Sequence, residues 1–460
     1  MSNRTLAIET TNAVGKTVTL KGWVHVRRNL GKLIFIDLRD GSGIVQVVFS
    51  PDFPQAHTTA DQLRAEFVIA VSGNVVERKK KNPNLPTGEV ELVAEQLTIL
   101  NASETPPFEV DADTKDVKEE LRLEYRYLDL RSNRLQKNLR NRSRVAHFCR
   151  QWLDSRGFVE IETPVLTKDS PEGAREYVVP SRLYPGKFYS LPQAPQTFKQ
   201  LLMVAGFEKY YQFARCYRDE DERGDRQPEH TQLDLEMSFV EPADVWQLME
   251  ELLTAMLTEV YPGKRIAQAP WPRMSYDEVM KKFKTDRPDL RKDSENADEL
   301  AFCWITDFPL FEQAADGKLT FAHNPFTRPH DEDIPLLDTD PLQARSFQYD
   351  LVLNGVELAS GSIRNHEAKL QRKIFSLLGN SEAQIEEKFG AFLKALTYGA
   401  PPHGGIAPGL DRLMMVLENE PNIREVMAFP KTTDAKDLML GAPSELSDEQ
   451  LKDVHIQVKK

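Results

Sequence analysis

At 460 residues, with a 40% hydrophobic share and 28% charged residues, the chain has the composition of a soluble globular protein and is too long for one compact core, so two or three domains are expected. No stretch approaches the roughly 18–20 uninterrupted apolar residues of a membrane span, and the opening MSNRTLAIET lacks a basic-then-apolar export signal. The formal net charge of −12 is unevenly spread: residues 1–105 hold 12 Lys and Arg against 11 Asp and Glu, net +1, which leaves −13 for the remainder. Positive charge in that first block gathers at Arg27-Arg28 and Arg78-Lys79-Lys80-Lys81. Local patches of this kind, not the total, set attraction to phosphates, although solvated loops carry the same runs. Cys149, Cys216 and Cys303 show no C-x-x-C spacing, which speaks against disulfides and a cysteine zinc site and fits a reducing cytoplasm.

Short strand-like runs come first. Val18 to Val24 leads to a turn at Asn29-Leu30-Gly31, then Leu33 to Leu38, the turn Asp40-Gly41-Ser42-Gly43, and Ile44 to Phe49. Val68 to Val76 and Glu89 to Leu100 follow, and five strands in this length suit a small barrel of the oligonucleotide-binding type. Alternation puts Ile34, Ile36 and Leu38 on one face and Leu33, Phe35 and Asp37 on the other. Phe35 is then either a stacking platform for a base or a ring packed under a loop. The polar, proline-containing stretch after Ser103 reads as a linker, which sets domains at 1–105 and 135–460 with a hinge over 106–134.

Beyond the hinge, Leu135 to Arg156 has a helical apolar face ended by Gly157, and Phe158 to Pro164 is extended. Strands are expected at 188–191, 210–218, 232–240 and 347–363, and amphipathic helices at 243–260, 366–378 and 410–418. Strands joined by loops favour an α+β domain built on an antiparallel sheet with flanking helices.

Three clusters carry candidate chemistry. The first, Arg218 to Glu229, is an alternating-charge loop between two strand-like runs. It can present Arg218 as a planar, bidentate cation to a phosphate, or be plain solvated surface. In the second, Tyr349 to Arg364, Asp350 and Glu357 are hard oxygen donors suited to magnesium on nucleotide phosphates, or to a charged edge strand. The third, His403 to Arg412, is a glycine turn opening a helix whose first turn carries Arg412, where an anion could meet helix N–H groups.

Taken together these resemble the motifs of the class II aminoacyl-tRNA synthetases. Gly157 to Pro164 looks like the first motif, which contributes to a dimer interface in that family; the Arg218–Gln227 loop resembles the second and Gly409-Leu410-Asp411-Arg412 the third. Within the class, Ser170-Pro171-Glu172-Gly173-Ala174, Pro195 to Leu201 and Ala428 to Thr433 are similar to the bacterial-type aspartyl enzymes, over about residues 17 to 458.

The resemblance implies ATP-dependent activation of L-aspartate and its transfer to tRNA(Asp) by a cytoplasmic homodimer that uses Mg2+. Arg364 and Lys199 would hold the aspartate side-chain carboxylate, while Gln196, Glu172 and His323 would contact the amino acid. Arg218 would bind the α-phosphate and Arg412 the γ-phosphate. Asp219, Glu220, Gln227, His230, Glu357, Gly409, Leu410 and Asp411 would complete the ATP site, with Asp350 and Glu357 as metal ligands. Arg28, Phe35 and Gln46 would contact the anticodon.

Several positions depart from the family pattern. The domain that bacterial members insert between the second and third motifs is absent, since Arg291 reaches Leu300 through residues 292–299 alone. His230 stands where an aromatic usually covers adenine, Asn324 replaces the second of two adjacent histidines, and Ala359-Ser360 stands where glycines are frequent. Leu30 resembles the form that discriminates among tRNAs.

Overall fold

The computed structural model describes residues 4–110, 112–169, 173–221 and 223–459, and it divides into two compact units between Arg134 and Leu135. In the first unit, β1 (Thr17–Asn29), β2 (Ile34–Asp40), β3 (Gly43–Phe49), β4 (Val68–Glu77) and β5 (Val90–Asn101) close into a barrel in the order β1-β2-β3-β5-β4. All neighbours are antiparallel except β3 and β5. Ile34, Ile36 and Leu38 point into a core with Val45, Val47, Phe49, Ile69, Val71 and Leu92, and Phe35 and Asp37 are left half-buried on the outer face.

The segment expected as a hinge, 106–134, falls with the barrel unit and carries the short helices Glu119–Glu124 and Arg126–Asp129. Asp129 is fully buried, accepts from Thr114 Oγ1 at 2.5 Å, and pairs with Arg126 at 2.6 Å and Arg122 at 3.5 Å. Arg131 pairs with Glu66 at 2.5 Å and lies over the Trp23 ring. A polar composition reads as a linker, but buried ion pairs give this polar stretch packing of its own.

The second unit is built on eight strands. They are β6 (Val159–Glu160), β7 (Lys209–Tyr217), β8 (Glu229–Ser238), β9 (Arg273–Ser275), β10 (Phe302–Thr306), β11 (Gln348–Leu353), β12 (Val356–Ile363) and β13 (His403–Pro408). Their order is β9-β10-β11-β12-β13-β8-β7-β6. The six inner strands are antiparallel, but β9 and β6 pair parallel at the two edges. The sheet is therefore mixed, because each edge strand is a two- or three-residue piece delivered by a helix or loop.

Period-two alternation gives this sheet two unlike faces. Leu233, Leu235 and Met237 of β8 share one face with Leu351, Leu353, Leu358, Ala359 and Ile406. This face packs under the helices Asn133–Asp154, Pro242–Val260 and Leu410–Leu417, whose own apolar stripes include Val145, Cys149 and Trp152, and Val245, Met249, Leu252 and Met256. The alternate residues of β8, namely His230, Gln232, Asp234 and Glu236, face the other way. A bulge in β12 pairs Leu351 with Ala359 but Val352 with Glu357, so Glu357 joins Ser360 and Arg364 on that polar face.

The polar face needs room for its side chains. At Gly405 an added Cβ would lie 2.2 Å from Glu236 Oε2 and 2.1 Å from the Leu235 carbonyl oxygen. Gly405→Ala should therefore destabilise the protein by about 1–3 kcal/mol in urea unfolding; an unchanged midpoint would show that Glu236 is not held over this glycine.

Candidate active site

A cleft of about 310 Å³ opens on the polar face of the sheet. Twelve of the expected residues line it: Gln196, Lys199, Arg218, Glu220, Gln227, His230, His323, Glu357, Arg364, Gly409, Asp411 and Arg412. Asp350 lies buried next to the wall, in contact with His323, while Asp219 and Leu410 are not part of the lining. The Leu410 side chain sits in the hydrophobic core, and the Asp219 backbone N–H donates to Arg175 O. Glu172 lies outside the described residues.

At one end, the helix Gln196–Val204 brings Lys199 against β8. Lys199 Nζ lies 2.8 Å from Asp234 Oδ1 and 3.5 Å from Glu236 Oε2. Arg364, at the end of β12, donates from Nε to Glu236 Oε1 at 3.0 Å and from Nη1 to Ser362 Oγ at 2.6 Å. Burial alone would raise the Glu236 carboxyl, but Arg364 and Lys199 outweigh it and hold Glu236 below the usual carboxylate range. The two cations expected to stand ready for a substrate carboxylate are thus already matched by two carboxylates. Each still has N–H donors left over, and Asp234 Oδ2 and Gln196 Nε2 are buried without a partner among the described residues. This end offers donors for an anionic group and one carboxylate oxygen for a cationic one.

The other end carries arginines. The β7–β8 hairpin presents Arg218, whose buried Nε has no hydrogen-bond partner among the described residues. Arg412 donates to Glu357 O at 2.8 Å and pairs with Asp225 at 3.1 Å. Asp411, at the start of the same helix, spends one oxygen on Arg142 (2.6 Å) and the other on the Thr231 N–H (2.8 Å), so it ties the helix to the sheet. Gln227 clasps Lys431 by its backbone N–H and O, and Glu220 pairs with Arg226. His230 lies on β8 opposite Cys216; burial and then Arg218, Arg412 and Arg215 push its pKa down to about 3, so the ring is neutral.

Along the wall between the ends, Asp350 accepts from Gln348 Nε2 at 2.9 Å and lies 3.3 Å from His323 Nε2. Burial, and then the Asp350 charge, raise the Glu357 pKa; Arg412 and His323 offset only part of this. Burial would lower His323, but Asp350 and Glu357 bring it above its ordinary value. A carboxylate whose ionisation is opposed by a neighbouring carboxylate is a donor that a divalent cation relieves, and oxygen donors suit magnesium.

Asp234, Glu236 and Gln232 were not singled out from the sequence, and Ser360 only as a departure at a position where glycine is frequent. The signal was present in the alternation His230, Gln232, Asp234, Glu236 against Thr231, Leu233, Leu235, Met237. On the barrel, Arg28 pairs with Asp37 through both terminal nitrogens at 3.0 and 2.9 Å, Gln46 Oε1 accepts from Arg78 at 2.6 Å, and Gln46 Nε2 donates to Glu91 at 2.6 Å. Phe35 is the cross-strand partner of Arg28. Glu91 joins this network only through the parallel β3–β5 register, which no local pattern reveals.

Comparison with known proteins gives the frame for this geometry. Residues 118–433 match the class II tRNA synthetases (D, K and N), and residues 18–100 match the OB-fold nucleic acid binding domain. The aspartate–tRNA(Asp/Asn) ligase of Rubrobacter xylanophilus is 46% identical over 571 aligned positions, covering 97% of this chain and 95% of that protein. The aspartate–tRNA ligase of Exiguobacterium sibiricum is 41% identical over 574 positions, covering 97% of each. Both alignments are longer than the 460 residues of this chain, so the relatives carry residues without a counterpart here. In fold, the chain is similar to asparaginyl-tRNA synthetase from Pyrococcus horikoshii complexed with asparaginyl-adenylate (TM-score 0.76, 23% identity, 94% of this chain and 99% of that one). It is also similar to a putative aspartyl-tRNA synthetase from Leishmania major (TM-score 0.75, 21% identity, 93% and 92%). From the match over 118–433 and the identity across nearly its whole length, the chain belongs to the class II tRNA synthetases of the D, K and N group.

Proposed function

We propose that the chain activates L-aspartate with ATP and transfers the aspartyl group to the 3′ end of tRNA(Asp). The observation that carries this reading is the polarity of the cleft, with Lys199 and Arg364 at one end and Arg218 and Arg412 at the other. The aspartate side-chain carboxylate binds the spare donors of Lys199 and Arg364, and its α-ammonium meets Asp234 Oδ2 and the carbonyl side of Gln196. An α-carboxylate oxygen then attacks the α-phosphorus of ATP in line and pyrophosphate leaves; the terminal adenosine hydroxyl of the tRNA next attacks the mixed anhydride carbon and AMP leaves. No side chain serves as a nucleophile, so catalysis rests on positioning and on charge placed where it develops.

In this reading Arg218 faces the α-phosphate and Arg412 the pyrophosphate end. Neutral His230 covers the adenine without adding charge, and His323 borders the amino acid. Glu220 and Gln227 border the nucleotide, and Asp219, Gly409, Leu410 and Asp411 shape the site through backbone and packing. Glu357 and Asp350 would hold Mg2+, which supplies neutralising charge to the phosphates; magnesium is commonly held by one or two carboxylates plus phosphates. Asparagine would press an amide N–H2 against the remaining donors, and a mismatch of that kind supports discrimination on the order of 10⁴-fold.

The barrel face of Arg28, Phe35 and Gln46 supports anticodon binding, since a half-exposed ring beside an arginine suits a stacked base. The open β6 edge, with Val159, Val165 and Leu166 exposed, supports a homodimer at that edge. The three free, buried cysteines support a reducing cytoplasm, and among the described residues no helix is long and apolar enough to cross a membrane.

Arg364→Leu should lower kcat/KM for aspartate by at least ~3 kcal/mol of transition-state stabilisation, because it also leaves buried Glu236 with only the longer contact to Lys199. In ATP–pyrophosphate exchange the ATP KM should stay nearly unchanged; near-normal aspartate activation would refute the pocket. Phe35→Ala should weaken tRNA(Asp) binding by about 1–3 kcal/mol in filter binding while leaving adenylate formation intact, and equal tRNA affinity would remove the ring from the interface. His230→Phe should keep or lower the ATP KM and His230→Ala should raise it.

The same residue gives a pH test. The unfolded His230 takes a proton below about pH 6.5 while the folded ring stays neutral down to about 3. It therefore costs stability as pH falls through that window. His230→Phe should flatten the acid limb of the unfolding midpoint between those values, and an unchanged limb would contradict the depressed pKa.

A further inference from the structure

His403 opens β13, is fully buried, and has no part in the reaction as described above. We infer that His403 is a positioning residue for the side-chain end of the amino-acid pocket, acting through Gln200 on the helix that carries Gln196 and Lys199. The inference rests on the reading of Lys199 and Arg364 as that pocket.

His403 touches both halves of the pocket. Its carbonyl oxygen accepts from the Arg364 backbone N–H at 2.9 Å, which fixes the chain from which the guanidinium projects. Its Nδ1–H donates to Pro401 O at 2.7 Å, and its Nε2 lies 3.2 Å from Gln200 Oε1. Gln200 is itself fully buried and reaches back from Nε2 to Gln196 O at 3.3 Å. Burial lowers the His403 pKa, and the neutral ring, with its Nδ1 proton on Pro401, accepts at Nε2 from the Gln200 amide once the carboxamide is turned over, which keeps the contact to the helix and gives up the bond to Gln196 O. Glu236, Arg364 and His366 are the charged and titratable groups around the ring.

The helix needs this support. Gln196, Lys199, Gln200 and Met203 form its buried face, and its N-cap, Pro195, supplies no side-chain hydrogen bond to the first turn. Besides the Lys199 contacts to Asp234 and Glu236, two further tertiary contacts hold this face: Ser238 Oγ to Met203 Sδ at 3.2 Å near the C-terminal end, and His403 to Gln200 at mid-helix. Ser238 is also the cross-strand partner of His403, so both contacts come from one ladder position of the β8–β13 pair. The distance from Lys199 Nζ to Arg364 thus depends on a residue that touches neither the substrate nor the lysine.

Two conservative replacements separate this role from simple packing. His403→Gln places an amide near the Nε2 position and keeps the Gln200 contact; His403→Asn reproduces Nδ1 and keeps only the Pro401 contact. In ATP–pyrophosphate exchange His403→Asn and Gln200→Met should each raise the aspartate KM about tenfold, with the ATP KM and the unfolding midpoint nearly unchanged. His403→Gln should stay within about twofold of wild type. Asparagine better tolerated than glutamine, or a loss confined to the ATP KM, would overturn the inference. Should both His403 variants unfold, Gln200→Met decides alone, and an unchanged aspartate KM overturns it. A normal result for these variants beside a damaged Arg364→Leu enzyme would reject the relay and leave the pocket standing.

Discussion

Lys199, Asp234, Glu236 and Arg364 place two charges of each sign within hydrogen-bonding distance, with no side chain of the four more than 3% exposed. Taking such groups out of water is costly, and the arrangement holds only while every member is paired. Their pairing fixes the helix Gln196–Val204 against β8 and β8 against β12, across the β13 strand that lies between them. Three of the four, Lys199, Asp234 and Arg364, line the end of the cleft proposed to read the amino acid, with Glu236 behind them. In that proposal stability and substrate choice draw on one set of contacts, and the removal of one partner would damage both.

The sheet makes this arrangement possible. One face is covered by helices and carries leucine, methionine and aromatic residues; the opposite face of the same strands carries the charged cluster, with Gly405 leaving space for the Glu236 carboxylate. The bulge in β12 turns Glu357 to the polar face beside Asp350. The arginine end, proposed to take the nucleotide, is organised by the short connections at strand ends: the β7–β8 hairpin for Arg218 and the Gly409 turn for Arg412. Chemistry that needs no nucleophilic side chain can be run by such a scaffold, because its residues have only to hold two substrates in line and to receive charge.

Much of this was legible in the residue pattern. The strands of the barrel, the β7–β8 hairpin and the helices at 242–260 and 410–417 follow from alternation, turn residues and helical spacing. What the pattern did not carry was pairing. The sequence shows Lys199 and Arg364 as cations but not that Asp234 and Glu236 neutralise them, since the partners come from distant strands. Asp411 reads as a nucleotide contact until both of its oxygens are seen to be spent on Arg142 and Thr231. The 106–134 segment reads as a linker because composition records its polarity and not the burial of Asp129.

The matched charge cluster is proposed to select an amino acid with a second carboxylate. Amino-acid-dependent ATP–pyrophosphate exchange by the wild-type chain, run in parallel with each of the common amino acids, measures that choice before any tRNA is involved. Aspartate should be the one substrate that supports rapid exchange, with asparagine slower by a factor on the order of 10⁴. Exchange supported equally by asparagine, or by asparagine in preference, would contradict the account even with the fold and the ATP site intact.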